Sequence, residues 1–147
     1  MAELHKNLIN GEWVGSDGVE NINPSNTAEV VGLYARANAE ETKQAIAAAK
    51  AVFPAWSRSG ILERHAILSK ASQEILARKA ELGELLSREE GKTLPEGIGE
   101  VTRAAQIFDF FAGEVLRLAG EVLPSVRPGV GVEITREPIG VVGIITP

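Results

Sequence analysis

The aliphatic stretch from Ile139 to Ile145 constrains the fold more than any other feature of the sequence. Every residue in it that is not glycine is valine or isoleucine. A run with so few polar side chains predicts a strand that is buried on both faces, inside a mostly parallel sheet. The preceding residues contain no alternating series of strands and helices that could flank such a strand. Residues 139–147 are therefore expected to form the first buried strand of a larger sheet, truncated in this sequence.

The composition is that of a globular protein with one sizeable core, with 147 residues of which 44% are hydrophobic and 24% charged. The formal net charge is −5, and the basic residues are interspersed with acidic ones. Because this pattern contains no basic patch that would bind a polyanion, we expect no nucleic-acid partner. The sequence has no cysteine, so it can supply neither a thiolate metal ligand nor a cysteine nucleophile.

The sequence shows no signal for secretion or for a membrane span. The start, MAELHKNLINGEW, lacks the basic residues, apolar stretch and cleavage site of a secretory signal. No uninterrupted apolar segment reaches the ~20 residues that cross a bilayer. We expect a cytoplasmic protein without a membrane partner.

The first 37 residues carry strand and turn signals. Asn10-Gly11 lies between short apolar runs, which predicts a β-hairpin with a type I′ turn. A third strand is expected around Val19 and Ile22, before Pro24 stops pairing, and a fourth over residues 29–37. The chain is therefore expected to open with a small sheet.

A helical period follows. Asn38 and Glu41 form a capping-box pattern that begins a helix at about Ala39, which Pro54 is expected to end or kink. A second helical stretch runs from about Ile61 to Gly91, either as one helix or as two broken near Lys79. A further capping-box pattern starts the last helix, which is expected to run to about residue 119. Three to four helices are predicted in all.

Residues 130–138, from Val130 to Pro138, have the pattern of a half-exposed strand. Val130, Val132 and Ile134 alternate with polar residues, unlike the aliphatic stretch that follows. We expect an edge strand or a strand with one solvated face.

No side chain in the sequence has the surroundings that catalysis or metal binding requires. His5 and His65 stand alone, the glutamates of the second helical stretch are typical of a solvated face, and Lys92 has no P-loop glycines before it. The aromatic residues are more typical of a core than of a ligand cage; these are Phe53, Trp56, Phe108, Phe110 and Phe111. We therefore predict no catalytic and no metal-binding residue.

Five segments, in order, carry a resemblance that covers almost the whole chain. They are NLINGEWV, NPSNTAEVVGLYARANAEETKQAIAAAKAVFPAWS, REEGKTLPEGIGEV, FDFFAGE and REPIGVVGIITP. Together they resemble the N-terminal part of the aldehyde dehydrogenase superfamily. Within it the sequence is most similar to the branch that oxidises semialdehydes such as 2-oxoglutarate or succinate semialdehyde. The benzaldehyde-type enzymes of the superfamily are the alternative branch.

The resemblance implies an α/β fold and a division of the chain. Residues 1–128 would be the N-terminal part of the coenzyme-binding domain, a hairpin sheet with helices. Residues 129–138 would be a protruding bridging strand. The protein would form homo-oligomers through residues 130–138 of this strand. Residues 139–147 would be the first strand of the Rossmann-like coenzyme sheet, and Ile145, Thr146 and Pro147 would line the adenosine half of an NAD or NADP site.

The resemblance also implies that the chemistry lies outside this sequence. In the family, the segment continues into Trp-Asn-Phe-Pro, whose asparagine helps to form the oxyanion hole, and a cysteine thiol attacks the aldehyde. A glutamate acts as general base. The expected parent is an NAD(P)-dependent enzyme that oxidises an aldehyde or semialdehyde to the acid, whereas this chain alone is expected to be inactive. The alternative is a non-catalytic interaction or scaffold module derived from the same fold.

Overall fold

The computed structural model describes residues 4–146. Within these residues lie helices α1 (Ala39–Trp56), α2 (Ile61–Ala77), α3 (Lys79–Glu90) and α4 (Leu94–Val115). The same part of the chain contains seven short strands. They are β1 (Leu4–His5), β2 (Asn7–Ile9), β3 (Glu12–Val14), β4 (Gly18–Ile22), β5 (Val30–Ala35), β6 (Glu121–Pro124) and β7 (Gly131–Ile134). This mixed architecture confirms the predicted α/β class.

The strands form three small sheets. β5 lies at the centre of a three-stranded sheet, parallel to β1 and antiparallel to β4. β2 and β3 pair antiparallel across a two-residue loop, and β6 pairs antiparallel with β7. The loop of the first hairpin has positive φ at both Asn10 (52°) and Gly11 (82°), as a type I′ turn requires. The hairpin prediction is confirmed.

The helix boundaries follow local capping signals. Asn38 Oδ1 accepts hydrogen bonds from the amides of Glu40 and Glu41, both at 2.9 Å, and the Glu41 carboxylate accepts from the Asn38 amide at 2.9 Å. At the start of α4, the Glu96 carboxylate accepts from the amide and the hydroxyl of Thr93, at 3.0 and 2.7 Å. The resulting hydrogen bonds lower the pKa of Glu96. Both predicted helix starts are confirmed.

Two helix ends differ from the prediction. α1 continues through Pro54 to Trp56, because a proline in the last turn removes only one hydrogen bond and the helix ends two residues later. α4 ends at Val115, short of the expected residue 119, since the chain turns there toward β6. The break between α2 and α3 lies at Arg78, beside the predicted position.

The core lies where α4 packs against α2 and α3. Val101, Ala105 and Ala112 of α4 are buried, and the buried Ser72 hydroxyl of α2 donates to the Ala105 carbonyl at 2.8 Å. His65 Nδ1 lies 3.0 Å from the Ala112 carbonyl oxygen, so this histidine has a structural partner on the facing helix. Small and hydroxyl-bearing residues therefore set the α2–α4 contact, and their hydrogen bonds to helix carbonyls fix its register.

The predicted aromatic core does not form in this chain. Trp56, Phe108, Phe110 and Phe111 are exposed, and Phe110 and Phe111 contact each other edge to face with ring centroids 5.3 Å apart. The prediction was wrong because the buried residues of α4 are glycine, valine and alanine. Phe110 and Phe111 are more than half exposed on the surface of α4.

The expected buried strand at residues 139–147 also differs from what is observed. Residues 135–146 belong to no helix or strand, and most aliphatic side chains among them are exposed. A strand exists only when a neighbour accepts and donates its backbone hydrogen bonds, and no strand of the described residues pairs with this segment.

Candidate functional site

The segment that follows β7 includes Ile145, Thr146 and Pro147, the residues expected to contact a cofactor. An earlier part of the same segment contacts α1. Gly140, Val141 and Val142 lie along α1 and line a shallow apolar cleft together with Phe53 and Trp56. The lining is apolar because α1 turns its alanine, valine and aromatic side chains toward this side. The segment is therefore held on one face only.

Ile145 and Thr146 lie side by side beyond this cleft, and both are exposed, Ile145 to 99%. Pro147 lies outside the described residues. Because nothing packs around Ile145, a dinucleotide placed here would touch a single surface of the chain. A cofactor site normally buries most of its ligand. The described residues thus do not enclose a cofactor site, and the role of Ile145 and Thr146 stays a prediction.

A cluster of charged and amide side chains lies elsewhere, where the three-stranded sheet meets the end of α3. The Glu29 carboxylate accepts from Asn23 Nδ2 at 2.8 Å and from Arg88 Nε at 2.7 Å. Asn21 Nδ2 donates to Glu89 at 2.7 Å across the same junction. The hydrogen bond from Asn23, followed by that from Arg88, lowers the pKa of Glu29. We call these five side chains the sheet–helix junction.

The junction also raises the pKa of Tyr34, first through burial of the phenol and second through the negative charge of Glu89. Tyr34 stacks on His5, with ring centroids 4.8 Å apart. Neither the junction nor this stack was predicted. Glu29 and Arg88 are separated by 59 positions, so no local pattern could have indicated their pairing. The junction joins the three-stranded sheet to α3, which is typical of a structural role.

Glu29 gives the junction a pH dependence. Its folded-state pKa is lowered, so its stabilising effect is complete above the unfolded-state value of about 4.3 and is lost as the pH falls through the folded value. We expect Glu29→Gln to lower the urea midpoint of unfolding at pH 7 and to have a much smaller effect at pH 3. The urea midpoints of the two proteins, measured by circular dichroism at both values, test this.

Glu20→Gln is the matched control, because Glu20 is exposed on the neighbouring strand β4 and its carboxylate makes no hydrogen bond or ion pair with the described residues. It should leave the midpoint unchanged at both values. An equal loss for Glu29→Gln at pH 3 and pH 7 would show that the carboxylate charge does not contribute.

A second cluster joins α3 to α4. Lys92 Nζ lies 2.5 Å from Glu90 and 2.6 Å from Glu100, and its side chain is mostly covered. The hydrogen bond to Glu100, followed by that to Glu90, raises the pKa of Lys92. The lysine is thus engaged by two carboxylates and supplies no free cation for a phosphate.

Across residues 4–146, no three histidine, aspartate or glutamate side chains come together as a metal site would require. Over the same range, no helix is both long enough and apolar enough to cross a membrane.

The chain is similar to known proteins over nearly its whole length. A family model described as "Aldehyde dehydrogenase family" matches residues 13–147. The chain is 39% identical over 150 aligned residues to alpha-ketoglutarate semialdehyde dehydrogenase of Haloferax volcanii, covering 100% of this chain and 31% of that protein. It is 39% identical to alpha-ketoglutaric semialdehyde dehydrogenase of Bacillus subtilis, covering 96% of this chain and 30% of that protein.

The fold agrees with these matches. A crystal structure of betaine aldehyde dehydrogenase from Staphylococcus aureus in complex with NAD⁺ superposes with a TM-score of 0.83 at 29% identity. The aligned part covers 91% of this chain and 28% of that one. The chain thus spans just under a third of the length of the proteins it matches. With a family model covering nearly all of it, the chain belongs to the aldehyde dehydrogenase family.

Proposed function

We propose that the protein this chain represents oxidises a semialdehyde to the carboxylic acid with NAD or NADP, and that these 147 residues alone are its inactive N-terminal scaffold. The observation that carries the proposal is the 39% identity, over the whole chain, to a protein named for alpha-ketoglutarate semialdehyde. Relatives named for glutarate and succinate semialdehyde match almost as much of the chain. Semialdehydes, which carry one carboxylate besides the aldehyde, are therefore the proposed substrate class.

In this proposal the chain itself supports the cofactor site and supplies no reacting group. The α2–α4 packing and the sheet–helix junction hold α2, α3, α4 and the three-stranded sheet together, and α1 contacts residues 140–142. In the proposed assembly this positions Ile145, Thr146 and Pro147 as one apolar wall beside the adenosine half of the cofactor. The bound cofactor would accept the hydride. The group that attacks the aldehyde would come from outside this sequence, which has no cysteine.

The segment of residues 130–138, which contains β7, is the proposed oligomer contact. β7 pairs with β6 on one side, and its residues are exposed. A strand with a free edge is available for pairing with another chain. The proposal includes the division into residues 1–128, 129–138 and 139–147 and a cytoplasmic homo-oligomer.

An activity assay on two proteins tests the proposal. The product of the gene that encodes this chain, translated to its natural stop codon, should reduce NAD or NADP with 2-oxoglutarate, succinate or glutarate semialdehyde. The 147-residue chain, purified in parallel, should give the rate of the no-enzyme blank because it has no thiol nucleophile.

Benzaldehyde and betaine aldehyde serve as comparison substrates. A higher kcat/KM for either of them would overturn the proposed substrate class. Turnover by the 147-residue chain would overturn its assignment as scaffold. If the natural stop codon directly follows Pro147, the alternative of a non-catalytic interaction module is favoured.

A further inference from the structure

The tip of the β2–β3 hairpin carries a chemically labile pair of residues. Asn10 and Gly11 form the two-residue loop, and both are exposed. A Cβ placed on Gly11 would meet nothing within 4 Å, so the space around the loop is open to solvent. We propose that Asn10 is a site of spontaneous deamidation, which converts it to aspartate and isoaspartate in the folded chain.

The reaction needs only the two residues and water. The backbone nitrogen of Gly11 attacks Cγ of Asn10, a C–N bond forms, and the Cγ–Nδ2 bond breaks. The leaving nitrogen takes up the proton lost by the Gly11 amide and departs as ammonia. Water then opens the five-membered succinimide, at Cγ to give aspartate or at the backbone carbonyl carbon to give isoaspartate. No atom is oxidised or reduced.

The attacking nitrogen is accessible. Glycine has no side chain to hinder the approach to Cγ. Of the backbone hydrogen bonds that the structure shows outside helices and strands, none uses the Gly11 amide as donor. The nucleophile is therefore neither shielded nor engaged by another acceptor.

The other asparagines are less suited to this reaction. The sequence has six, and only Asn10 precedes a glycine. The side chains of Asn21 and Asn23 donate to Glu89 and Glu29, and the Asn38 side chain caps α1. The remaining two, at positions 7 and 26, precede leucine and threonine, whose side chains hinder ring closure.

The hairpin itself offers little protection. Ring closure requires Asn10 to leave the left-handed conformation of the turn, so the rate depends on how readily the hairpin opens. β2 and β3 form a separate two-stranded sheet, and Trp13 is 65% exposed. An isolated two-stranded hairpin is marginally stable in water. Local opening at this tip should therefore be frequent.

The two products differ in what they do to the hairpin. Aspartate at position 10 keeps the type I′ turn, because Asp-Gly is also a favoured pair there. Isoaspartate adds one carbon to the backbone, so the two-residue loop no longer fits the Ile9–Glu12 pair. Deamidation thus places a new negative charge at the tip, and the isoaspartate fraction unpairs the strands.

Peptide mapping by mass spectrometry tests the proposal on the purified 147-residue chain incubated in mildly alkaline buffer. Methyl labelling by an isoaspartyl methyltransferase counts the isoaspartate. Asn10 should be modified before the other five asparagines, and its rate in native buffer should lie within about tenfold of its rate in 8 M urea, as expected for low-cost local opening.

Gly11→Ala is the control variant, compared in urea so that the result does not depend on how the variant folds. It should slow modification at Asn10 because the added Cβ hinders ring closure. The proposal is overturned if another asparagine reacts first, if the native fold protects Asn10 by more than about tenfold, or if Gly11→Ala reacts as fast as the original sequence in urea.

Discussion

Gly97→Ala should lower the free energy of unfolding by about 3 kcal/mol, because it forces a side chain into the close contact between α4 and α3. A Cβ on Gly97 would lie 2.4 Å from the Gly83 carbonyl oxygen and 2.4 Å from Ser87 Oγ. The Gly83 carbonyl also accepts the Ser87 hydroxyl at 2.8 Å, so the clash would break a hydrogen bond as well as separate α3 from α4. Urea unfolding followed by circular dichroism measures the loss.

The reciprocal substitution should act in the same direction. A Cβ on Gly83 would lie 2.6 Å from Ile98 Cγ1 and 2.8 Å from the backbone nitrogen of Ile98. The backbone cannot move aside without displacing α4. Gly83→Ala is therefore also expected to destabilise the chain, by about 2 kcal/mol or more.

Gly99→Ala is the matched control, two positions along the same helix. A Cβ there would meet nothing within 4 Å. Alanine is favoured over glycine inside a helix, so this variant should be more stable than the original by about 0.5–1 kcal/mol. Equal midpoints for Gly97→Ala and Gly99→Ala would show that α3 and α4 do not pack through these glycines.

Local signals in the sequence predicted the elements whose determinants lie within a few residues. The Asn10-Gly11 turn, the cap by Asn38 and Glu41, and the left-handed Gly91 that ends α3 are all confirmed. In each case one or two side chains satisfy backbone groups that would otherwise stay unpaired, so the signal and its structural effect are adjacent in the chain.

Pairings between distant residues were missed. β1 adds to the sheet through parallel pairing with β5, 29 positions away from Leu4 to Leu33. Pro124 and the following glycines are typical of a loop and give β6 no strand signal, yet β6 pairs with β7 through four residues. Whether such a strand forms depends on its partner strand. Neither β6 nor β7 is apolar enough for its own sequence to predict the pairing.

The proposed cofactor residues could be located only through the resemblance. Ile145 and Thr146 carry no group with distinctive chemistry, and their expected role depends on backbone position at the end of a strand. The sequence does indicate, through its aliphatic pattern, that residues 139–145 require neighbours. The exposure of Ile139 and Ile145 is consistent with that requirement.

The exposed aliphatic segment should make the 147-residue chain self-associate. Ile139 is 92% exposed and Ile144 82% exposed, and no strand of the described residues covers them. Contiguous exposed apolar surface of this kind drives association between copies. We expect the chain to bind a hydrophobic dye and to sediment as species larger than a monomer, increasingly so as the concentration rises.

The double variant Ile139→Asp/Ile144→Asp should weaken this association by about 100-fold, because each buried isoleucine contributes about 1.5 kcal/mol or more. Gln73→Glu/Gln106→Glu is the control, since it makes the same change in net charge at two exposed helical positions. If the control reduces dye binding and sedimentation as much as the aspartate pair, general charge repulsion explains the effect. An effect of the aspartate pair alone would assign self-association to the segment that, in the proposed enzyme, lies inside the coenzyme sheet.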